Sequence, residues 1–182
     1  MTVEKRVGSP RKKRCEFSIT IDTREQTPWL FRDLKTRTWE FIVSASKDTL
    51  QQGDYAIRGL ESELVIERKS LEDLYSTLSE GRDRFKNELE RIQVNHRMGA
   101  VVVEAPWSVV SAPEHFRTDW RSQLRPQSVI GSIQSLSVRY PKVHWFCMPS
   151  RREAEWTAFQ LLRFAHENHQ RRWERQFEVG EE

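Results

Sequence analysis

The chain has 182 residues, of which 37% are hydrophobic and 31% charged, enough for one ordinary domain with a real core and a heavily charged surface. No run of about 18 apolar residues occurs, so no membrane span is expected, and the basic N-terminus has no apolar segment behind it, which argues against a secretory signal. Net charge is only +3, but the opening MTVEKRVGSPRKKRCEF gathers Lys5, Arg6, Arg11, Lys12, Lys13 and Arg14 against Glu4 and Glu16, as a phosphate-gripping arm, an import signal or a solvated terminus would.

Residues 1–15 therefore read as a basic, flexible arm. EFSITID alternates, with Phe17, Ile19 and Ile21 on one face, and predicts a strand ending at Asp22. TREQTPW turns away at Pro28. TWEFIVSA, GDYAIRG and ELVIERK are three further strands, with a turn over Gly59 to Ser62 joining the last two. Ser70 can cap a helix with Asp73 three residues on, and Leu71, Leu74, Tyr75 and Leu78 form its apolar stripe, with Gly81 as its stop. RDRFKNELERIQVNHR is a second helix with Phe85, Leu89 and Ile92 inward, and GAVVVEA a strand buried on both faces. PQSVIGSIQSLSVRY reads as helix, KVHWFCM as strand, and REAEWTAFQLLRFAHENH as a long closing helix on which Ala158, Leu161, Leu162 and Ala165 keep the helical spacing. The result is an α/β domain over 16–172, a mixed sheet with helices on its faces, followed by a tail over 173–182. Cys15 and Cys147 are too few for a disulfide framework or a structural zinc site and read as free thiols of a reducing compartment.

The stretch GDYAIRGLESELVIERKSLEDL places charge where a core should be. If its two strands form a hairpin centred on Leu60 and Glu61, Asp54 lies opposite Glu67, on the same face and about 4.5–5.5 Å away at Cβ. Two carboxylates so placed repel unless a cation lies between them, and hard oxygen ligands suit magnesium or manganese. Period two adds Lys69 to that face and sends Arg68 to the other, where a structural ion pair is its expected role. Acid, acid and ammonium on one face suit phosphoryl chemistry: a metal for the phosphate and the attacking water, a lysine to position the water or offset charge.

IDTRE (21–25), GDY (53–55), VIERKSLEDL (65–74) and GRDRF (81–85) resemble the nuclease domain of the XPF-type structure-specific endonucleases, within the PD-(D/E)XK superfamily. The likeness covers roughly residues 17 to 170. It implies a restriction-endonuclease-like mixed β-sheet flanked by helices, and a magnesium- or manganese-dependent DNA endonuclease acting on branched, flapped or forked DNA. Carried over by residue, it makes Asp22, Asp54 and Glu67 metal ligands, Glu25 a further acid of the catalytic set and Lys69 the catalytic lysine. Arg24, Arg68, Asp73, Arg82, Arg84 and Lys86 fall to site support or DNA contact, and VVVEA, with Glu104, resembles the following core strand.

The tail NHQRRWERQFEVGEE lacks the paired G-x-G hairpins of the helix-hairpin-helix module that larger members append. A stand-alone nuclease of bacterial or phage type in the cytoplasm is the expectation, or a nuclear protein if eukaryotic. Its DNA grip falls to the basic arm, to the helix carrying Arg82, Arg84, Lys86 and Arg91, and to HFRTDWRSQLRPQ, where Trp120 could stack on an unpaired base beside Arg117, Arg121 and Arg125. A homodimer or a partner protein could supply more. His166 and His169 lack a third ligand and read as surface histidines. The rival readings are an inactive DNA-binding or scaffold subunit on the same fold, and a recombination or repair exonuclease of the same superfamily.

Overall fold

Alternation along the first strand does what the pattern demands: Phe17, Ile19 and Ile21 of β1 (Arg11–Asp22) are all buried. The computed structural model describes residues 9–117, 119 and 121–178. Lys5, Arg6 and Trp120, considered above for DNA contact, lie outside the described residues. β1 begins at Arg11, inside the stretch read as an arm, because Arg11 to Arg14 pair with Trp39 to Ile42; the register then shifts before Ser18.

Among the described residues the strands that follow are β2 (Leu34–Lys35), β3 (Trp39–Asp48), β4 (Tyr55–Ile57), β5 (Leu64–Lys69), β6 (Met98–Val103) and β7 (Val143–Cys147). Their order in one sheet is β2-β3-β1-β4-β5-β6-β7. β1 runs parallel to β3 and antiparallel to β4, while β5, β6 and β7 are mutually parallel. This is the mixed sheet expected. The turn between β4 and β5 holds Gly59 at φ 78°, a conformation that favours glycine.

Among the described residues the helices are α1 (Leu71–Leu78), α2 (Arg82–Asn95), α3 (Trp107–Ser111), α4 (Pro126–Arg139) and α5 (Arg151–Glu178), with a 3-10 turn at Pro113–His115. Ser70 caps α1 as expected, its Oγ accepting from Asp73 N (3.1 Å). Gly81 does not stop that helix. Ser79 ends it by donating its N–H to Tyr75 and Ser76 carbonyls, and Gly81 instead precedes α2 at φ −82°. α5 continues through Glu178, past the point where a tail was expected.

Apolar residues sort the helices onto the two faces. Ile19, Ile21, Tyr55, Ile57, Leu64, Ile66, Ala100 and Val102 meet Ala154, Ala158, Phe159 and Leu162 of α5. On the other face, Val65, Val101, Val103 and Val143 meet α1, α2 and α4 through residues including Leu74, Leu89 and Ile133. Along β5, Leu64, Ile66 and Arg68 thus point toward the α5 side, and Val65, Glu67 and Lys69 toward α1 and α2.

Candidate active site

The hairpin register holds. Tyr55 pairs with Ile66 and Ala56 with Val65, which sets Asp54 opposite Glu67. On the other side of β4, Ile21 pairs with Tyr55, and Asp22 N donates to the Asp54 carbonyl (2.8 Å). Asp22, Asp54 and Glu67 therefore form a row across three adjacent strands, on the face that α2 covers. Gly53 allows this row to exist: its φ is 67°, and a Cβ there would lie 2.4 Å from Val65 Cγ2 and 2.9 Å from the Ile66 carbonyl oxygen. Only a residue without a side chain lets the chain turn so close against β5 and deliver Asp54.

The three carboxylates differ in environment. Asp22 is buried and fully engaged: Oδ1 accepts from Arg24 N (2.8 Å) and Nε (2.7 Å), and Oδ2 from Arg24 Nη2 (3.1 Å) and Leu50 N (2.8 Å). Burial alone would raise its pKa, but these bonds outweigh burial and hold it below the usual carboxylate range. Asp54 is pushed up to about 6, first by burial and further by the Glu25 and Glu88 charges, with Arg68 N and Lys69 opposing. Burial and then the Asp54 charge raise Glu67 well above its ordinary value. Lys69 Nζ bonds Glu67 Oε1 and sits 5.3 Å from the Phe85 ring centroid. Burial lowers the ammonium's pKa, but Glu67 and its acidic neighbours more than offset this and keep it protonated.

This donor set fits a hard divalent cation. Asp54 Oδ2 accepts from Arg68 N (2.7 Å) and Glu67 Oε1 from Lys69, so among the described residues Asp54 Oδ1 and Glu67 Oε2 accept no hydrogen bond. Glu67 is buried, Asp54 is half-buried, and the Asp54 charge raises the proton affinity of Glu67; such a pair gains most from a doubly positive ion. Asp22 does not stand ready beside them, because Arg24 and Leu50 close both its oxygens; among the described residues, no three His, Cys, Asp or Glu side chains are arranged to hold a metal.

Arg68 faces away, as period two requires. Its Nε and Nη2 grip Glu104 Oε1 and Oε2 (2.8 and 3.0 Å), and its Nη1 reaches Thr27 Oγ1 (3.1 Å) and Glu25 Oε1 (3.4 Å). Glu104 also accepts from Trp29 Nε1 (2.7 Å) and Arg151 Nη1 (2.8 Å). Glu25 is thus drawn into an ion network that anchors the loop after β1, outside the carboxylate row.

The supporting residues divide. Asp73 is occupied in the α1 cap, and Arg82 Nη1 donates to Ser132 Oγ on α4 (2.5 Å). Lys86 pairs with Asp83 (3.1 Å), and Arg84 is exposed on α2. His169 Nδ1 meets Glu63 Oε1 (2.9 Å) and His166 packs on Phe17, so neither forms a ligand pair. Cys15 and Cys147 are free.

Sequence reasoning overlooked Glu88, which lies near enough to Asp54, Glu67, Lys69 and Arg24 to act on all four electrostatically. Its signal was available: Phe85, Glu88, Leu89 and Ile92 stand at i, i+3, i+4 and i+7, so one acid occupies the apolar stripe of α2. Trp29 and Arg151 were also missed as holders of Glu104. They are distant in sequence, and no local pattern marks them.

The architecture is a mixed sheet with helices on both faces, and its central strands carry a row of acids joined by a lysine. The family model described as the ERCC4 domain matches residues 21–158, and the chain belongs to that family. Among solved structures it is similar to XPF from Aeropyrum pernix (17% identity, TM-score 0.57, covering 80% of this chain and 65% of that one). It is also similar to XPF from Aeropyrum pernix in complex with DNA (18% identity, TM-score 0.61, covering 84% and 66%). The chain thus spans about two thirds of those XPF chains, and at these identities the likeness is one of fold. No curated protein matches it in sequence. Among the described residues, no helix is long and apolar enough to cross a membrane.

Proposed function

We propose that the chain is a divalent-metal-dependent DNA endonuclease that hydrolyses phosphodiester bonds, with branched, flapped or forked DNA as its substrate class. The observation that carries this reading is the pairing of Asp54 with Glu67 beside Lys69 on the α2 side of the sheet, joined to membership of the ERCC4 domain family. Asp54 and Glu67 would hold a magnesium or manganese ion, with Asp22 as third ligand once Arg24 releases it. Such an ion supplies phosphate charge neutralisation and a more acidic water. Lys69, protonated and packed on Phe85, then orients the attacking water or a phosphate oxygen and offsets developing negative charge. Arg24, Arg84 and Lys86 offer cations to the DNA backbone.

The test is cleavage of flap, fork, duplex and single-stranded DNA with magnesium, with manganese and with chelator. Wild-type protein is expected to cut at least one branched substrate only when metal is present, and Glu67→Ala and Lys69→Ala to lose at least 100-fold while still binding DNA. Cutting in chelator, or full activity in either variant, rules the mechanism out. End-blocked substrates separate endonuclease from exonuclease.

One observation favours a second reading, an inactive DNA-binding scaffold: both Asp22 oxygens are engaged by Arg24 and Leu50. Binding without cleavage under every metal condition selects it.

A further inference from the structure

Beside the carboxylates, the same sheet face carries a second row made of small side chains. Two residues along each strand from Asp48, Asp22, Asp54 and Glu67 stand Ser46, Thr20, Ala56 and Val65, in register across β3, β1, β4 and β5. The rows are about 6–7 Å apart. Because these side chains are short, the face is hollow there. Thr20, Ala56 and Val65 floor a cavity of about 480 Å³. One wall includes Leu50, whose N–H binds Asp22 Oδ2, so the cavity opens directly beside the carboxylate row. Buried His96 ties the other walls together, Nδ1 to the Glu61 carbonyl and Nε2 to Gln52 Oε1 (2.9 Å each).

We propose that this cavity receives an unpaired base of the DNA strand whose phosphate lies at Asp54 and Glu67. The proposal rests on the nuclease reading and adds the substrate feature: a nucleotide turned out of its stack next to the bond that is cut. Size fits, since the volume is within the roughly 300–1,000 Å³ of small-molecule sites. Chemistry fits as well. Gln51, Gln52 and Asn95 line the cavity with amides, each able to donate and accept toward a base edge, and the contact to His96 orients that of Gln52. Among the described residues no Phe, Tyr or Trp lines the cavity, and the one imidazole there, His96, is held at both ring nitrogens by Glu61 and Gln52, so edge hydrogen bonds rather than stacking on a large ring would hold the base. Charge excludes the phosphate itself. Asp48 and Glu61 line the cavity, while Arg58 is committed to Asp48 (3.6 Å) and to Ser46 Oγ (2.8 Å). A neutral ring is admitted and an anion opposed.

The experiment maps the bond cut in a flap or fork, then replaces the adjoining nucleotide with an abasic residue. Wild-type kcat/KM is expected to fall about tenfold, the scale of one base-edge contact set. The double variant Gln51→Ala, Asn95→Ala, altered only at exposed positions, should lose about as much on intact DNA and nothing further on the abasic substrate. Losses that multiply, or an abasic substrate cut at the intact rate, overturn the proposal. Ala56→Leu, which fills the floor, should reproduce the loss; if it fails to fold, the double variant carries the test. Should no DNA be cut at all, the nuclease reading fails separately. The pocket is then read from 2-aminopurine at the branch nucleotide, whose fluorescence should rise on binding to wild type but not to the double variant; no rise rejects the pocket.

Discussion

Asp54 and Glu67 face each other across the β4–β5 ladder, each with one carboxylate oxygen free of hydrogen bonds among the described residues. Their opposition stores repulsion in the metal-free protein, relieved only in part by Lys69. Asp54→Asn is therefore expected to match or exceed wild-type stability in chelator at pH 8, by up to about 1 kcal/mol. Manganese should raise the wild-type melting temperature by several degrees, since a ligand at 100 times its Kd contributes about 2.7 kcal/mol, and should leave Asp54→Asn unmoved. Thermal melts with and without metal check both.

Arg68 bridges a strand, a loop and the Glu104 carboxylate, with 9% of its side chain exposed. Arg68→Met leaves Glu104 short of its main partner and should cost about 3 kcal/mol in urea unfolding. Arg68→Lys keeps the charge but not the two-pronged grip and should recover only part of that loss. Full recovery would show that charge alone matters.

Two glycines with positive φ separate strain from collision. At Gly59 a Cβ meets nothing within 4 Å, so Gly59→Ala should cost only the left-handed conformation, about 1 kcal/mol. At Gly53 the same substitution adds collisions with Val65 and the Ile66 carbonyl and should cost about 3 kcal/mol. It should also depress metal binding, because Asp54 moves with it. Denaturant unfolding and manganese titration measure the two effects.

Glu63 is tied to His169 and Arg172, whose hydrogen bonds outweigh burial and hold its pKa below the ordinary 4.5. A depressed folded-state pKa contributes stability that is present above the unfolded value and lost as pH falls through the folded one. Glu63→Gln should be about 1 kcal/mol less stable at pH 7, and the two proteins should converge in acid. A gap that persists at low pH would assign the loss to packing instead.

The β4–β5 hairpin was legible because a short turn and alternating burial leave one register that keeps Tyr55 and Ile66 inside. Lys69 followed from period two, and the α1 cap from Ser70 and Asp73. The resemblance supplied Asp22, and the ladder places it beside Asp54. The placement of β1 between β3 and β4 could not be read, since its pairing is parallel with β3 and antiparallel with β4 and no tight turn joins it to either. Nor could the closure of Asp22 by Leu50 N, a contact made by a backbone amide of a distant loop. Glu88 could have been found from its place in a helical stripe. Trp29 and Arg151 could not, because only the folded chain brings them to Glu104.

α5 also bears on how the chain is made. The side chains that seal one side of the sheet, Ala154, Ala158, Phe159 and Leu162, leave the ribosome after every strand. Until then Ile19, Ile66 and Val102 lack the cover of α5, and the half-built sheet offers a sticky apolar surface to chaperones or to other nascent chains. Shortening the gene ahead of Arg151 should therefore yield insoluble product rather than a smaller working domain.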